Sequence, residues 1–444
     1  MRTSTLTGSI LVAVAVLAVA APASAQYTEV QISTSNFGSV HFDWARDGIY
    51  CPSCNFGDGN SRFEWDDKAG NQWVGNIDPN TAAIKPENGK AQLVDNSAFW
   101  WEVYGNSAEW AFSTQNGELI SQLVYTRFLP GTSQISSNAG VALATQGADG
   151  WTPAFFPGAF GTTEAPINTA LPLPTQCNSL PIALTLYKTL TAKAMYWEDT
   201  TTAAGTVPNL TPFGSYANGI SERWVPCTHQ LVFIGNGMAT DGKRYGQEFW
   251  YDADTNLVEQ LTSDPADHKG AFMWQAPEFG DQYVFFTLAN SLEIQVYLQT
   301  GTAANGAPTF ALINTITSPD PSQPILSTPE PFINCTPTCQ SWIFATLGPA
   351  NATSQTGNGL AVFSINPAAP VFNILASSTQ EPLSHRSDPE YFITSFGPIL
   401  TYDRSAVGGG SSKHEGRFYI DMQLGTPSGP CVGSSAEGGM VTGC

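Results

Sequence analysis

The apolar positions of this chain gather into short β-rich runs, and no helical 3.6-residue period of useful length follows residue 25. The clearest run is A-P-E-F-G-D-Q-Y-V-F-F-T-L at 276–288, and it recurs. Residues 328–347 read T-P-E-P-F-I-N-C-T-P-T-C-Q-S-W-I-F-A-T-L, and 388–402 read D-P-E-Y-F-I-T-S-F-G-P-I-L-T-Y. Each copy is an x-Pro-Glu step, an aromatic pair or near-pair, a turn and a second β-rich run. A third apolar run follows each copy, at 293–297, 360–365 and 417–421, and a fourth follows the first two, at 309–318 and 371–378. Four short strands per unit, repeating every 50 to 60 residues, predict an all-β protein built from the blades of a β-propeller.

Weaker copies lie upstream. Taking positions 52, 108, 153, 226, 277, 329 and 389 as alignment points, the separations are 56, 45, 73, 51, 52 and 60 residues. This spacing predicts seven four-stranded blades over residues 26–425, or six if the degenerate copy at 51–56 is not a unit. The long gap holds a Pro/Thr-rich insertion at 162–178, expected as a surface loop. Residues 27–33, Y-T-E-V-Q-I-S, alternate like a strand but belong to no unit. They are expected to complete the last blade, so that the N- and C-terminal strands pair and no open sheet edges remain.

Composition then sets the compartment. Arg2, an apolar stretch at 10–20 and A-S-A at 23–25 read as a signal peptide over residues 1–25, so the expected protein is secreted and extracellular. Acidic residues outnumber basic ones 37 to 17, which argues against nucleic acid or anionic membranes as partners, since Lys/Arg clusters are lacking. A monomer is expected. Eight cysteines in an oxidising compartment suggest four disulfides. Cys335 with Cys339 would staple a hairpin, and Cys431 with Cys444 would tie down a Gly/Ser-rich tail at 426–444. For the remaining four, 51–54 with 177–227 is the first choice among several connectivities. The sequons at Asn209, Asn334 and Asn351 could carry glycans in a eukaryotic host.

The chemistry is sought where each connection becomes the innermost strand of a blade. Proline is tolerated at a strand's first residue, and the x-Pro-Glu steps would sit there. Glu109, Glu278, Glu330 and Glu390 are then expected to converge on one channel mouth. Such a ring can hold a cation, with calcium in the channel as the cofactor it would take, or pair with arginines, or keep one member protonated as a general acid. Paired carboxylates across a glycosidic bond equip a glycosidase. The structural alternative is that each glutamate caps a strand or accepts an N–H from the next blade. His229, His268, His385 and Arg386 lie on neighbouring connections, as does Asp388. A base beside a neutralising arginine would suit a uronate lyase. Trp274 is a candidate sugar platform, with inter-blade core as the alternative for most tryptophans. No G-x-S-x-G or H-E-x-x-H motif occurs.

The segment W-Q-A-P-E-F-G-D-Q-Y-V-F-F at 274–286 resembles the W-A-P-E…Y-Y-L-x-Y blade of secreted arabinanase- and xylosidase-type propeller glycosidases. D-P-E-Y-F…P-I-L-T-Y at 388–402 is similar to their D-P-x-x-F…Y-L-x-Y blade. That resemblance implies an aspartate base, a pKa-tuning aspartate and a glutamate acid around the channel mouth. Asp388 would match the tuning aspartate and Asp47 the base, with Glu278 or Glu330 as acid by position. The expected function is cleavage of a polysaccharide or oligosaccharide, by hydrolysis rather than elimination. A non-catalytic, sugar-binding or adhesive propeller is the alternative.

Overall fold

The structure is a computed structural model, describing residues 27–33, 39–44, 62–67, 70–78, 80–85, 91–98, 108–115, 118–133, 138–160, 184–188, 195–199, 223–225, 228, 230–252, 254–335, 338–353, 355–379, 383–408 and 414–425. The described residues form seven antiparallel sheets, and within each the strands pair in chain order apart from one added strand in the first sheet and one in the seventh. The first sheet comprises Ser39–Trp44, Arg62–Asp67, Gln72–Ile77 and Ile84–Lys85, with Gln92–Asp95 also paired to its third strand. The second runs Glu109–Gln115, Glu118–Phe128, Ala139–Gly147 and Gly150–Phe160. The third is a hairpin, Leu184–Lys188 with Met195–Asp199. The fourth runs Arg223–Trp224, Gln230–Met238, Arg244–Asp252 and Leu257–Gln260.

The fifth sheet contains His268–Ala276, Gln282–Ala289, Glu293–Thr302 and Pro308–Thr317. The sixth contains Ile325–Cys335, Cys339–Gly348, Gly359–Ser364 and Phe372–Ala376. The seventh takes Ser384–Thr394, Gly397–Ala406 and His414–Asp421, and its fourth strand is Val30–Gln31 from the other end of the chain. The expected pairing of the two chain ends is therefore present. Ile32 and Ser33 extend it, both donating their N–H to Arg417 O.

The fourth to seventh sheets stack face to face, and the seventh on the first, because their second and third strands are largely apolar on both sides, as strands buried on two faces must be. Val232 and Trp250 of the fourth sheet pack on Met273 and Phe285 of the fifth. Trp274, Phe286 and Val296 of the fifth pack on Ile333, Ile343 and Ala345 of the sixth. Phe332, Phe344 and Val362 of the sixth meet Tyr391, Leu400 and Phe418 of the seventh. The seventh then packs on the first, through Phe392 and Ile399 against Phe63 and Trp65. First and second sheets join through Asp95, which accepts from Tyr125 Oη at 2.7 Å and pairs with Arg127. Each large apolar side chain buried in these joints contributes roughly 1.5–3 kcal/mol.

Cys339 is disulfide-bonded, and the residue opposite it across the hairpin register is Cys335. Cys51, Cys54, Cys177, Cys227, Cys431 and Cys444 lie outside the described residues, as do the signal-peptide stretch, the insertion at 162–178 and the tail at 426–444. Among the described residues no helix is long and apolar enough to cross a membrane.

The structure corrects the phase of one repeat. In the sixth and seventh sheets the Pro-Glu steps lie inside the first strand, whereas Pro277–Phe279 forms a 3-10 turn between the first and second strands of the fifth. The element that does repeat is a β-bulge in the first strand, at Lys269/Phe272, Ser327/Glu330 and Ser387/Glu390. Each bulge contains one residue of positive φ: Gly270 (64°), Thr328 (46°) and Asp388 (51°). By structure, Ala271 is the counterpart of Pro329 and Pro389, and Pro277 is not.

Candidate functional site

The bulges of the fifth, sixth and seventh sheets lie among polar and charged side chains. Glycine adopts positive φ without cost, but a β-branched threonine and an aspartate there are strained, each by roughly 1–3 kcal/mol. A proline follows both strained residues, where it removes one N–H that the interrupted ladder would leave unpaired. The first strands of the fifth, sixth and seventh sheets lie side by side. Neighbouring bulges accordingly meet: a Cβ added at Gly270 would stand 3.7 Å from Pro329 Cγ.

Each bulge is clasped from the second strand by one buried threonine. Thr287 Oγ1 donates to Lys269 O at 3.4 Å, Thr346 Oγ1 to Ser327 O at 3.1 Å, and Thr401 Oγ1 to Glu390 O at 3.1 Å. These threonines were not singled out as candidates in the sequence, yet they are the same letter in F-F-T-L, F-A-T-L and I-L-T-Y. A threonine within three apolar runs was the available signal, although the register differs: Thr346 stands opposite Ser327, Thr401 opposite Glu390, and Thr287 between the partners of Lys269 and Phe272.

The seventh bulge carries a chain of charges across its sheet. Asp388 Oδ2 lies 3.2 Å from Arg417 Nη1, and the same nitrogen lies 3.4 Å from Asp403 Oδ2. Arg417 Nη2 also donates to Thr401 Oγ1 at 3.1 Å. His414 Nε2 is 3.3 Å from Asp403 Oδ1. The ends of this chain reach solvent, Asp388 at 21% and His414 at 27% side-chain exposure, while Arg417 is fully buried. Burial pushes the Asp403 carboxyl above the usual carboxylate range against the pull of Arg417 and His414, and the Asp388 charge pushes the same way. Two carboxylates thus share one guanidinium, the inner biased toward its neutral form and the outer held on a strained backbone.

The equivalent region of the fifth sheet is a polar cluster facing the fourth, buried at His268 and Glu248 and open to solvent at Asp264. His268 Nε2 pairs with Asp264 Oδ1 at 2.7 Å. Burial lowers the His268 pKa more than Asp264 raises it. Asp264 Oδ2 accepts from Gln295 Nε2 at 3.4 Å, and Tyr297 Oη donates to Gln295 Oε1 at 2.7 Å. Glu248, fully buried on the fourth sheet, has both carboxyl oxygens without a hydrogen-bond partner among the described residues, and burial raises its pKa well above normal. The facing Thr287 hydroxyl works against the rise, while its proton is directed at Lys269 O.

The sequence candidates divide accordingly. Glu330 and Glu390 both sit directly after a bulge, Glu330 half-buried and Glu390 buried. Asp388 is the strained bulge residue itself. Glu278 is elsewhere, in the turn at the far end of its first strand. Its Oε1 accepts the Ser341 N–H and its Oε2 the Ser341 hydroxyl, both at 3.0 Å, from the second strand of the next sheet. The expected convergence of Glu278 with Glu330 and Glu390 is therefore corrected, and Glu278 does what the structural alternative describes. Burial raises its pKa, and the Ser341 bonds work against the rise. Trp274 belongs to the same joint, buried in the core with Nε1 donating to Ser341 Oγ at 3.0 Å. His268 and Arg386 are buried two residues before their bulges, and His385 is half-buried beside Arg386. Asp47 and His229 lie outside the described residues. Glu109 heads the strand Glu109–Gln115, opposite Val124.

Arg386 serves a joint that sequence reading missed. Glu29, on the N-terminal segment, accepts from Arg386 Nε at 2.5 Å and Tyr402 Oη at 2.8 Å, and pairs with Arg404 Nη1 at 2.8 Å. Arg386 Nη1 also donates to Asn358 O on the sixth sheet.

No protein-family model matches the chain, and no curated protein does. Solved structures similar to it include one from a study of two prolyl endopeptidases, at 9% identity and TM-score 0.41, covering 83% of this chain and 47% of that one. The WD40 domain of SCAP from fission yeast gives 9% and 0.45, covering 89% and 98%. A putative 6-phosphogluconolactonase from Bacteroides fragilis gives 8% and 0.38, covering 90% and 99%. The chain spans half or less of the length of the peptidase structures it matches.

Proposed function

We propose that this chain is a secreted, monomeric seven-bladed β-propeller that acts on a polysaccharide or oligosaccharide at the face bearing the bulges, as a hydrolase. Support for the ring comes from seven consecutive antiparallel sheets among the described residues, six of them with four or more strands, the seventh packed on the first and completed by Val30–Gln31. The observation that carries the site is backbone strain at Thr328 and Asp388, in adjacent first strands, each followed by Pro-Glu. Strain of this kind persists where surrounding structure over-determines it, and it concentrates at sites of chemistry.

In this reading Asp388, Glu330 and Glu390 are the carboxylates offered to substrate. Arg417 supplies the buried countercharge behind Asp388. Asp403 and His414 are positioning residues that act through Arg417. By the resemblance of the 388–402 segment to secreted propeller glycosidases, Asp388 would match their tuning aspartate, a role that its arginine-backed setting supports.

The test is a set of four variants assayed for new reducing ends on plant and microbial polysaccharides. Asp388→Asn and the Gln variants at 330 and 390 keep side-chain size, so folding should survive. Asp388→Asn and at least one of the Gln variants should lose turnover roughly 100-fold or more. Glu278→Gln should instead lower the melting temperature, by weakening the Ser341 joint at a cost of about 1–3 kcal/mol, and leave turnover per folded molecule unchanged. If no polysaccharide is cleaved but oligosaccharide binding weakens in Asp388→Asn, the face is a binding site without catalysis. The engagement of Glu278, Trp274 and Arg386 in sheet joints favours this second reading.

A further inference from the structure

The structure separates the three asparagine sequons. Asn209 lies outside the described residues. Asn334 is 3% exposed, near the end of the strand Ile325–Cys335, and its Nδ2 donates to Leu424 O at 3.3 Å. Leu424 in turn packs on the core between the sixth and seventh sheets. A sugar on that nitrogen would remove an N–H and drive a pyranose ring into a closed joint.

Asn351 is the opposite case. It follows the strand Cys339–Gly348, and Ala350, Asn351, Ala352 and Thr353 are all exposed. The turn is held from within: Thr353 N–H donates to Thr356 Oγ1 at 2.9 Å, and Thr356 N–H to Thr353 O at 3.0 Å. A glycan there displaces no contact of the sheet. Gly348 pairs with Ile325, three residues before Thr328, so this loop stands at the end of the sixth sheet that carries the bulge.

We propose that Asn351 is an attachment site for an asparagine-linked oligosaccharide and that Asn334 is not. The inference rests on the secreted reading of the chain. In the transfer step the Asn351 side-chain nitrogen loses a proton and bonds the anomeric carbon of a lipid-pyrophosphate-linked oligosaccharide, and the lipid pyrophosphate leaves.

The experiment expresses the full chain in a eukaryotic cell with its own leader and, in parallel, with a leader known to direct export. Secreted and cell-retained protein are both digested, and each sequon peptide is weighed before and after enzymatic removal of N-glycans. The expected result is a glycan on the Asn351 peptide, an unmodified Asn334 peptide in folded protein, and loss of one glycan in both Asn351→Gln and Thr353→Ala. The melting temperature of deglycosylated Asn351→Gln should match that of deglycosylated wild type. A bare Asn351 in chains exported by the second leader, or a glycan on Asn334 in folded protein, overturns the proposal. Export by the second leader alone, with Asn351 modified, overturns the secreted reading and leaves the site standing.

Discussion

Glu248 shows how a single residue can work against its own fold. Its carboxyl is fully buried between the fourth and fifth sheets, neither oxygen has a hydrogen-bond partner within normal distance among the described residues, and burial raises its pKa well above normal. An ionised carboxylate in such a place is costly, so burial favours the protonated form. The sign of the linkage follows. Below the unfolded-state pKa both states are protonated and nothing is lost. As pH rises past that value the unfolded chain releases the proton and the folded one does not, which costs about 1.4 kcal/mol per pH unit until the folded group titrates. Glu248→Gln should remove this loss. Urea unfolding at about pH 4 and about pH 7 should show the variant close to wild type at the lower pH and more stable at the higher. A variant less stable than wild type at neutral pH would mean that Glu248 is ionised and partnered, and would refute this account.

The bulge with its clasping threonine is the element on which legibility turned. The all-β character, the four-stranded units and the pairing of the chain ends were readable, because β-rich runs and turn residues report locally on backbone pairing. The phase of the unit at 276–288 was not. A Pro-Glu-aromatic triplet serves a 3-10 turn at Pro277 and a bulged strand at Pro329 and Pro389, and the letters are alike although the backbones differ. Gly270 gave the true counterpart, but glycine is common enough here that position alone could not mark it. The candidate charges were half legible for a related reason: Arg417 and Asp403 sit on the third and second strands, and only the sheet register brings them to Asp388. The bulges also make a prediction that separates strain from function. Thr328→Gly should stabilise the protein by roughly 1 kcal/mol, since glycine accepts positive φ that a β-branched residue resists. Asp388→Gly relieves the same strain but leaves Arg417 with one carboxylate fewer, so its net effect should be destabilising. Chemical denaturation of the two variants decides it, and equal shifts of either sign would show that the ion pair contributes nothing.

At the scale of the whole molecule, the ends of the chain are held by one carboxylate. Glu29 binds Arg386 of the first strand and Arg404 of the second strand of the seventh sheet, with Tyr402 between them, and Arg404 lies 3.7 Å over the Phe418 ring. Around it, Val30 and Gln31 add a strand, Gln31 Nε2 donates to Glu415 O, and Ser33 Oγ accepts the Arg417 N–H. Deleting 26–34 removes all of these and bares a sheet edge, whereas deleting 426–444 leaves each in place, so the first truncation should melt far lower. Glu29→Gln should cost about 3–5 kcal/mol, because two largely buried guanidiniums lose their shared charge. The pH dependence identifies the cause. Burial pushes the Glu29 pKa up, but hydrogen bonds from Arg386 and Tyr402 and the charges of both arginines hold it below the ordinary carboxylate value. A depressed acid contributes its full stability above its unfolded pKa and loses it as pH falls through the folded value. Asp403, Glu278 and Glu248 have raised values and act in the opposite sense, so the acid limb of wild type alone is a mixture. The difference between wild type and Glu29→Gln isolates the latch. That gap should be widest near neutrality and close as the pH drops below the carboxylate range. A gap independent of pH, or a 26–34 deletion that melts with the tail deletion, would show that the chain ends meet without holding the molecule together.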